Sequence, residues 1–90
     1  MNALTLTLSH HPNPDIRGGY REEPVDKGRA QRVVVANLRE ASTQVLAYIE
    51  RNGLGGGNIG PCHVTNGADV LAYVSYNGRV WDALGKEIAI

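Results

Sequence analysis

The chain has no phenylalanine, and only one cysteine, one methionine and one tryptophan among its 90 residues. Without phenylalanine, the core must be assembled from valine, leucine, isoleucine, tyrosine and Trp81. Hydrophobic residues make up 42% of the chain, near the low end for globular proteins. A single thiol, Cys62, excludes an internal disulfide. Net charge is missing too, since nine basic residues balance nine acidic ones. The broad positive field of a non-specific nucleic-acid binder is therefore absent, as is the acidic surface of a DNA mimic. No apolar run approaches the roughly 18 residues that suggest a membrane span. The opening MNALTLTLSHH lacks the basic and apolar regions of a signal peptide. Together these absences predict one cytoplasmic domain over residues 1–90, with no membrane contact.

What is present is a set of short periodic segments. Leu4, Leu6 and Leu8 alternate with Thr5 and Thr7, the period-two pattern of a half-buried strand. The pattern stops at Ser9. Residues 10–30 hold three of the four prolines, the Gly18-Gly19 pair and many of the charges, which predicts a long charged loop or mobile arm. Order returns with Arg32-Val33-Val34-Val35-Ala36, a β-branched run expected as a strand buried on both faces or an inner strand. Asn37 and Glu40 have the spacing of a capping box, so a helix is predicted from Asn37 to about Arg51. Leu38, Ala41, Ser42, Val45, Leu46, Tyr48 and Ile49 fall on one side of it. Leu38, Val45 and Ile49 are expected to be the costliest to truncate.

Three strand candidates follow. Pro61–Thr65 precedes Asn66-Gly67, and Val70–Tyr76 precedes Asn77-Gly78 and then Arg79–Asp82. Asn-Gly between apolar alternations signals a two-residue type I′ hairpin, which sets Tyr76 opposite Arg79 and Val74 opposite Trp81. Ile88 and Ile90 are placed at the sheet edge. The predicted order is β-β-α-β-β-β, an α+β two-layer fold with one helix on an antiparallel sheet.

Between Gly53 and Gly60 the chain carries five glycines. Gly55, Gly57 and Gly60 match GxGxxG, but a dinucleotide site needs a strand before the loop and a helix after it. Here a helix comes first, and its C-terminus turns carbonyls toward the loop, which repels phosphate. The segment reads as a helix stop at Asn52-Gly53 followed by a flexible connector. Cys62 and His63 are adjacent, so a strand sends them to opposite faces. With His10 and His11 they do not supply zinc spacing. Cys62 is expected as a buried thiol and His63 as a surface imidazole. Ser75 lacks the glycines of a nucleophile elbow, and Asp82 and Glu87 have nothing to set them across a cleft. No catalytic residue, metal ligand or cofactor is therefore assigned, and an enzyme is not expected. The run Ala72–Tyr76 matches only the end of an RNA-recognition motif.

A single helix can cover only one sheet face. Trp81 either lies beneath the helix or stands on the open face. In the latter case Trp81, Tyr76, Arg79 and Val74 form the expected protein-binding patch, since Trp, Tyr and Arg most often dominate interface energy. The alternative is a nucleic-acid contact through Arg17, Arg21, Lys27, Arg29 and Arg32, with salt-dependent affinity. A third reading is self-association through a free sheet edge, which gives a monomer or a homodimer.

The segment Val35-Ala36-Asn37-Leu38-Arg39-Glu40-Ala41, a helix, a glycine-containing loop and then VLAYVSYNGRVWD resembles small domains encoded by phages, plasmids and bacterial mobile elements. It is similar in outline to some small anti-CRISPR proteins. The resemblance implies a protein that acts by binding another macromolecule. It assigns no functional residue, and it covers nothing before residue 31.

Overall fold

A computed structural model describes residues 3–20, 24–26 and 30–90. The leucine–threonine alternation forms β1 (Leu4–Leu8), and the valine run forms β2 (Gln31–Val35). The helix α1 (Leu38–Asn52) and a single 3-10 turn (Gly56–Asn58) lead to β3 (Cys62–Asn66), β4 (Asp69–Val74), β5 (Val80–Asp82) and β6 (Glu87–Ile88). All six strands pair antiparallel in the order β2-β1-β3-β4-β5-β6. The sheet is open, with α1 on one face, so the α+β two-layer architecture holds. Because β2 and β3 both run antiparallel to β1, they are parallel to each other, and α1 is the crossover such a pair requires.

The ends of α1 follow from its sequence. Asn37 Oδ1 accepts the Glu40 amide at 2.8 Å, and the Glu40 carboxylate accepts the Ala36 amide at 3.0 Å. Gly53 ends the helix at φ 61°. Its amide donates to Glu50 O and the Leu54 amide to Ile49 O, the bond pattern of a Schellman stop. The buried stripe is Ala41, Ser42, Val45, Tyr48 and Asn52. Leu46 is 46% exposed, and Leu38 and Ile49 only flank the core. The truncation cost therefore centres on Val45 rather than on all three residues expected. Tyr48 and Asn52 rotate the stripe, because their polar ends meet partners described below.

Under α1 lie Leu6, Leu8, Val35, Cys62, Val64, Ala72, Val74 and Val80. They come from alternate positions on five strands, so each of these strands shows its other face to solvent. The valine run is a correction. β2 is an edge strand rather than an inner one, and Val34 is 68% exposed. Its apolarity reflects β propensity as well as burial.

Both hairpins also depart from expectation. At Asn66-Gly67, the partners Asn66 and Asp69 leave Gly67-Ala68 as the loop. Only Gly67 has positive φ, as a type II′ turn requires. A bulge follows, since Val64 pairs with Ala72 and Thr65 with Val70, leaving Leu71 unpaired. At Asn77-Gly78, the observed pairs are Val74 with Val80 and Tyr73 with Trp81. The Ser75 amide donates to Arg79 O and the Gly78 amide to Ser75 O, both at 2.9 Å. Gly78 has φ 83°, and no non-glycine residue has positive φ among the described residues. This is a three-residue loop, a type I turn closed by a left-handed glycine, not the two-residue type I′ turn. The extra residue shifts the register by one and reverses the faces of everything after it.

The same loop recurs seven residues later. The Asp82 amide donates to Lys86 O, the Gly85 amide donates to Asp82 O, and Gly85 has φ 85°. Ser75-Tyr76-Asn77-Gly78-Arg79 and Asp82-Ala83-Leu84-Gly85-Lys86 are thus successive copies of one hairpin design.

Candidate functional site

With the register shifted, Trp81 lies on the open face. Its cross-strand partner is Tyr73, whose other neighbour is His63. His63, Tyr73 and Trp81 therefore form a transverse row of rings on three adjacent strands. The His63 and Tyr73 rings meet edge to face with centroids 5.0 Å apart. Trp81 Nε1 donates to Ser75 Oγ at 3.2 Å, which ties the indole to the start of its own hairpin. Beside this row is an open depression of about 490 Å³, bordered by Pro61, Tyr73, Ser75, Trp81, Asp82 and Leu84. Its walls are mainly apolar, and Leu84 at the second hairpin tip is 95% exposed. The Asp82 carboxylate is turned onto its own loop, accepting the Leu84 and Lys86 amides at 2.9 Å.

The four residues expected to share one patch do not do so. Val74 is fully buried beneath α1, because Val74 and Trp81 are on opposite faces in the actual register. It is removed from the contact surface. Tyr76 is 54% exposed at the hairpin tip, and its ring lies over Gly56, where an added Cβ would stand 3.4 Å away. Arg79 is exposed and sits 4.0 Å from Glu87. Of the four, only Trp81 borders the depression on the open face. Tyr73 and Leu84 were missed. The signal for Tyr73 is its odd spacing from Val74, and that for Leu84 is an apolar residue in a turn.

The opposite end of the open face is polar. Thr5, Thr7, Arg32 and Thr65 border a second depression there. Arg32 is thus surface-directed, and Arg17 is exposed in the arm. Arg21, Lys27 and Arg29 lie outside the described residues.

The glycine segment packs against the chain's own residues 11–19. Asn58 is fully buried. Its side-chain amide donates to His11 O at 3.1 Å and Gly19 O at 2.7 Å, and its carbonyl accepts the Gly55 amide at 3.1 Å. The His11 amide returns a bond to Asn58 O at 2.8 Å. An added Cβ at Gly57 would overlap the Asn13 side chain. The glycine content therefore permits close approach to residues 11–19. It is not a free connector.

A second set of bonds ties the arm to the end of α1. Asn52 Nδ2 donates to Asp26 Oδ2, and the Asp26 amide donates to Asn52 Oδ1, both at 2.8 Å. Arg51 lies 3.2 Å from the same carboxylate. The Asn52 hydrogen bond, with help from Arg51, holds the Asp26 pKa below its usual value. His10 Nδ1 is 2.6 Å from the Tyr48 hydroxyl, and its ring meets Tyr20 edge to face. Burial, reinforced by the Asp26 charge, pushes Tyr48 up to about 12. Burial alone pushes Cys62 up to about 11. The Cys62 thiol therefore stays protonated at neutral pH. Among the described residues, no group of three or more His, Cys, Asp or Glu side chains is placed to hold a metal ion. No helix among them is long and apolar enough to cross a membrane. No family model, curated protein or solved structure matches the chain.

Proposed function

We propose that the chain is a non-enzymatic binding module that docks a protein partner on the open face of its sheet, around Trp81. One observation carries this reading: the row of exposed His63 and half-buried Tyr73 and Trp81 lies beside an apolar depression on the face that α1 leaves uncovered. Burying large aromatic surface is the main source of hot-spot energy at interfaces. The test compares proteins captured by the wild type with those captured by Trp81→Ala and Leu84→Asp, with folding checked by circular dichroism. The reading expects a bound protein that both variants lose. Identical capture by all three would remove it.

A second reading, self-association, is favoured by β2. This five-residue edge strand has an exposed valine and neither proline nor bulge, and Arg32 is its one charged side chain, so it carries few of the devices that usually protect an edge. It expects a concentration-dependent dimer in sedimentation that Val34→Lys abolishes, and a monomer at all concentrations would refute it.

A further inference from the structure

We infer that Asn66 is a site of spontaneous covalent modification, the one Asn-Gly pair of the folded chain that is free to lose its side-chain amide; this is independent of the docking role proposed above. An asparagine cyclises when the backbone nitrogen of the next residue gives its proton to hydroxide and attacks the side-chain carbonyl carbon. The N–Cγ bond forms, the Cγ–Nδ2 bond breaks, and ammonia leaves with a proton from water. Water then opens the succinimide ring. Cleavage of the new N–Cγ bond gives aspartate, and cleavage at the original backbone carbonyl gives isoaspartate. Nothing is oxidised or reduced, and water and hydroxide are the only co-reactants. Glycine favours the attack because no Cβ crowds its nitrogen and its backbone turns freely.

Three asparagines precede glycine: Asn52, Asn66 and Asn77. The others precede Ala3, Pro14, Leu38 and Ile59. The three pairs are alike in sequence and differ in the fold. Cyclisation needs a carboxamide free to turn, a glycine amide free of hydrogen bonds, and access to water. Asn52 meets none of these. It is 2% exposed, its Oδ1 accepts the Asp26 amide, and its Nδ2 donates to Asp26 Oδ2 and Tyr48 O. The Gly53 amide is held in the helix stop by Glu50 O. Asn77 is exposed but tied. Its Oδ1 faces the Ser75 hydroxyl at 2.5 Å and accepts the Arg79 amide at 3.2 Å. The Gly78 amide donates to Ser75 O at 2.9 Å, and Ser42 Oγ fixes the Gly78 carbonyl to α1.

Asn66 meets all three conditions. Asn66 and Gly67 are both exposed. Among the described residues, neither the Asn66 side chain nor the Gly67 amide makes a hydrogen bond. Gly67 opens the two-residue loop between the paired Asn66 and Asp69, and a Cβ there would meet nothing within 4 Å. The product alters the hairpin in which it forms. A carboxylate at position 66 stands across the strands from Asp69, and like charges directly opposite weaken a pair. Isoaspartate also adds one carbon to the backbone path between Thr65 and Gly67. Gly67 borders the polar depression with Thr5, Thr7, Arg32 and Thr65, so the new negative charge arrives at that end of the open face.

The test ages the full-length protein at mildly alkaline pH, folded and in urea. Peptide mass mapping follows each Asn-Gly pair, and ion exchange separates the more acidic form. Two or more hydrogen bonds hold each of the other pairs, so in the folded protein Asn66 should convert at least about tenfold faster than Asn52 or Asn77. In urea the three rates should converge, and in Asn66→Gln the early acidic form should disappear. Conversion at Asn52 or Asn77 as fast as at Asn66 in the folded protein overturns the inference. So does an Asn66 that stays intact while the unfolded chain converts, or an early acidic form that survives in Asn66→Gln.

Discussion

Replacing Gly78 by alanine separates two demands that the paired hairpins place on their glycines. Gly78 and Gly85 occupy the same loop position at φ 83° and 85°. An alanine at either must adopt the left-handed region, at about 1–2 kcal/mol. Their surroundings differ. A Cβ at Gly85 would meet nothing within 4 Å, whereas one at Gly78 would stand 3.0 Å from Leu46 Cδ1 and 3.1 Å from Ser42 Oγ. Ser42 Oγ also donates to Gly78 O at 2.6 Å, so the hairpin cannot retreat without losing that bond. Overpacking adds about 1–2 kcal/mol. Gly78→Ala should therefore cost about 2–4 kcal/mol, and Gly85→Ala about 1–2 kcal/mol. The larger loss is a sizeable share of the roughly 5–13 kcal/mol expected for a domain this long. Urea unfolding followed by Trp81 emission measures both, with amide exchange at Gly85 checking that the second hairpin does not fray alone. Equal costs, or a greater cost at Gly85, would refute the claim that the first hairpin is packed onto α1.

Three other expectations concern the polar pins and the core. Asn58→Ala removes two bonds to the arm from a fully buried side chain; it should cost about 2–4 kcal/mol in urea unfolding and speed protease cleavage between residues 11 and 20, and an unchanged midpoint would contradict the pinning role. Cys62 sits near 11 instead of 9, so its contribution is intact below pH 9 and is lost as pH rises through 11. The full loss is at most about 2–3 kcal/mol, and in Cys62→Ala the first part of the alkaline destabilisation should disappear, leaving the later Tyr48 limb between about 10 and 12. Val45→Ala should destabilise by about 1.5–3 kcal/mol and Leu46→Ala by less than about 1, read from urea midpoints; equal costs would place the helix stripe differently.

Period and capping made much of the fold legible. Leu4–Leu8, the Asn37–Glu40 box and the Asn52-Gly53 stop are local signals, and each appears where its residues place it. The hairpin failed because Asn77-Gly78 suits two turns. Glycine takes positive φ either as the second residue of a type I′ pair or as the closing residue of a three-residue loop. The second copy, Asp82-Ala83-Leu84-Gly85-Lys86, resolves this ambiguity. It has glycine at the same position but Leu84 in place of the asparagine before it, and leucine is a poor first residue for a type I′ pair. That seven-residue repeat was available in the sequence, and it would have set Trp81 on the Tyr73 face. The edge position of β2 was not legible, since pairing order depends on contacts distant along the chain. The same holds for Asn58, Asn52 and His10, whose partners are 26 to 47 residues away. Residues 10–30 read as a long charged loop or mobile arm because a sequence shows their prolines and charges but not the bonds from Asn58 and Asn52 to His11, Gly19 and Asp26.

The face occupied by Trp81 decides the rest, and cross-relaxation between side-chain protons tests it most directly. Contacts are expected from the indole protons to Tyr73 and Ser75, and none to Ala41 or Val45 of α1. Contacts from the indole to Ala41 or Val45 would put the ring back in the core, and the docking surface would be lost with it.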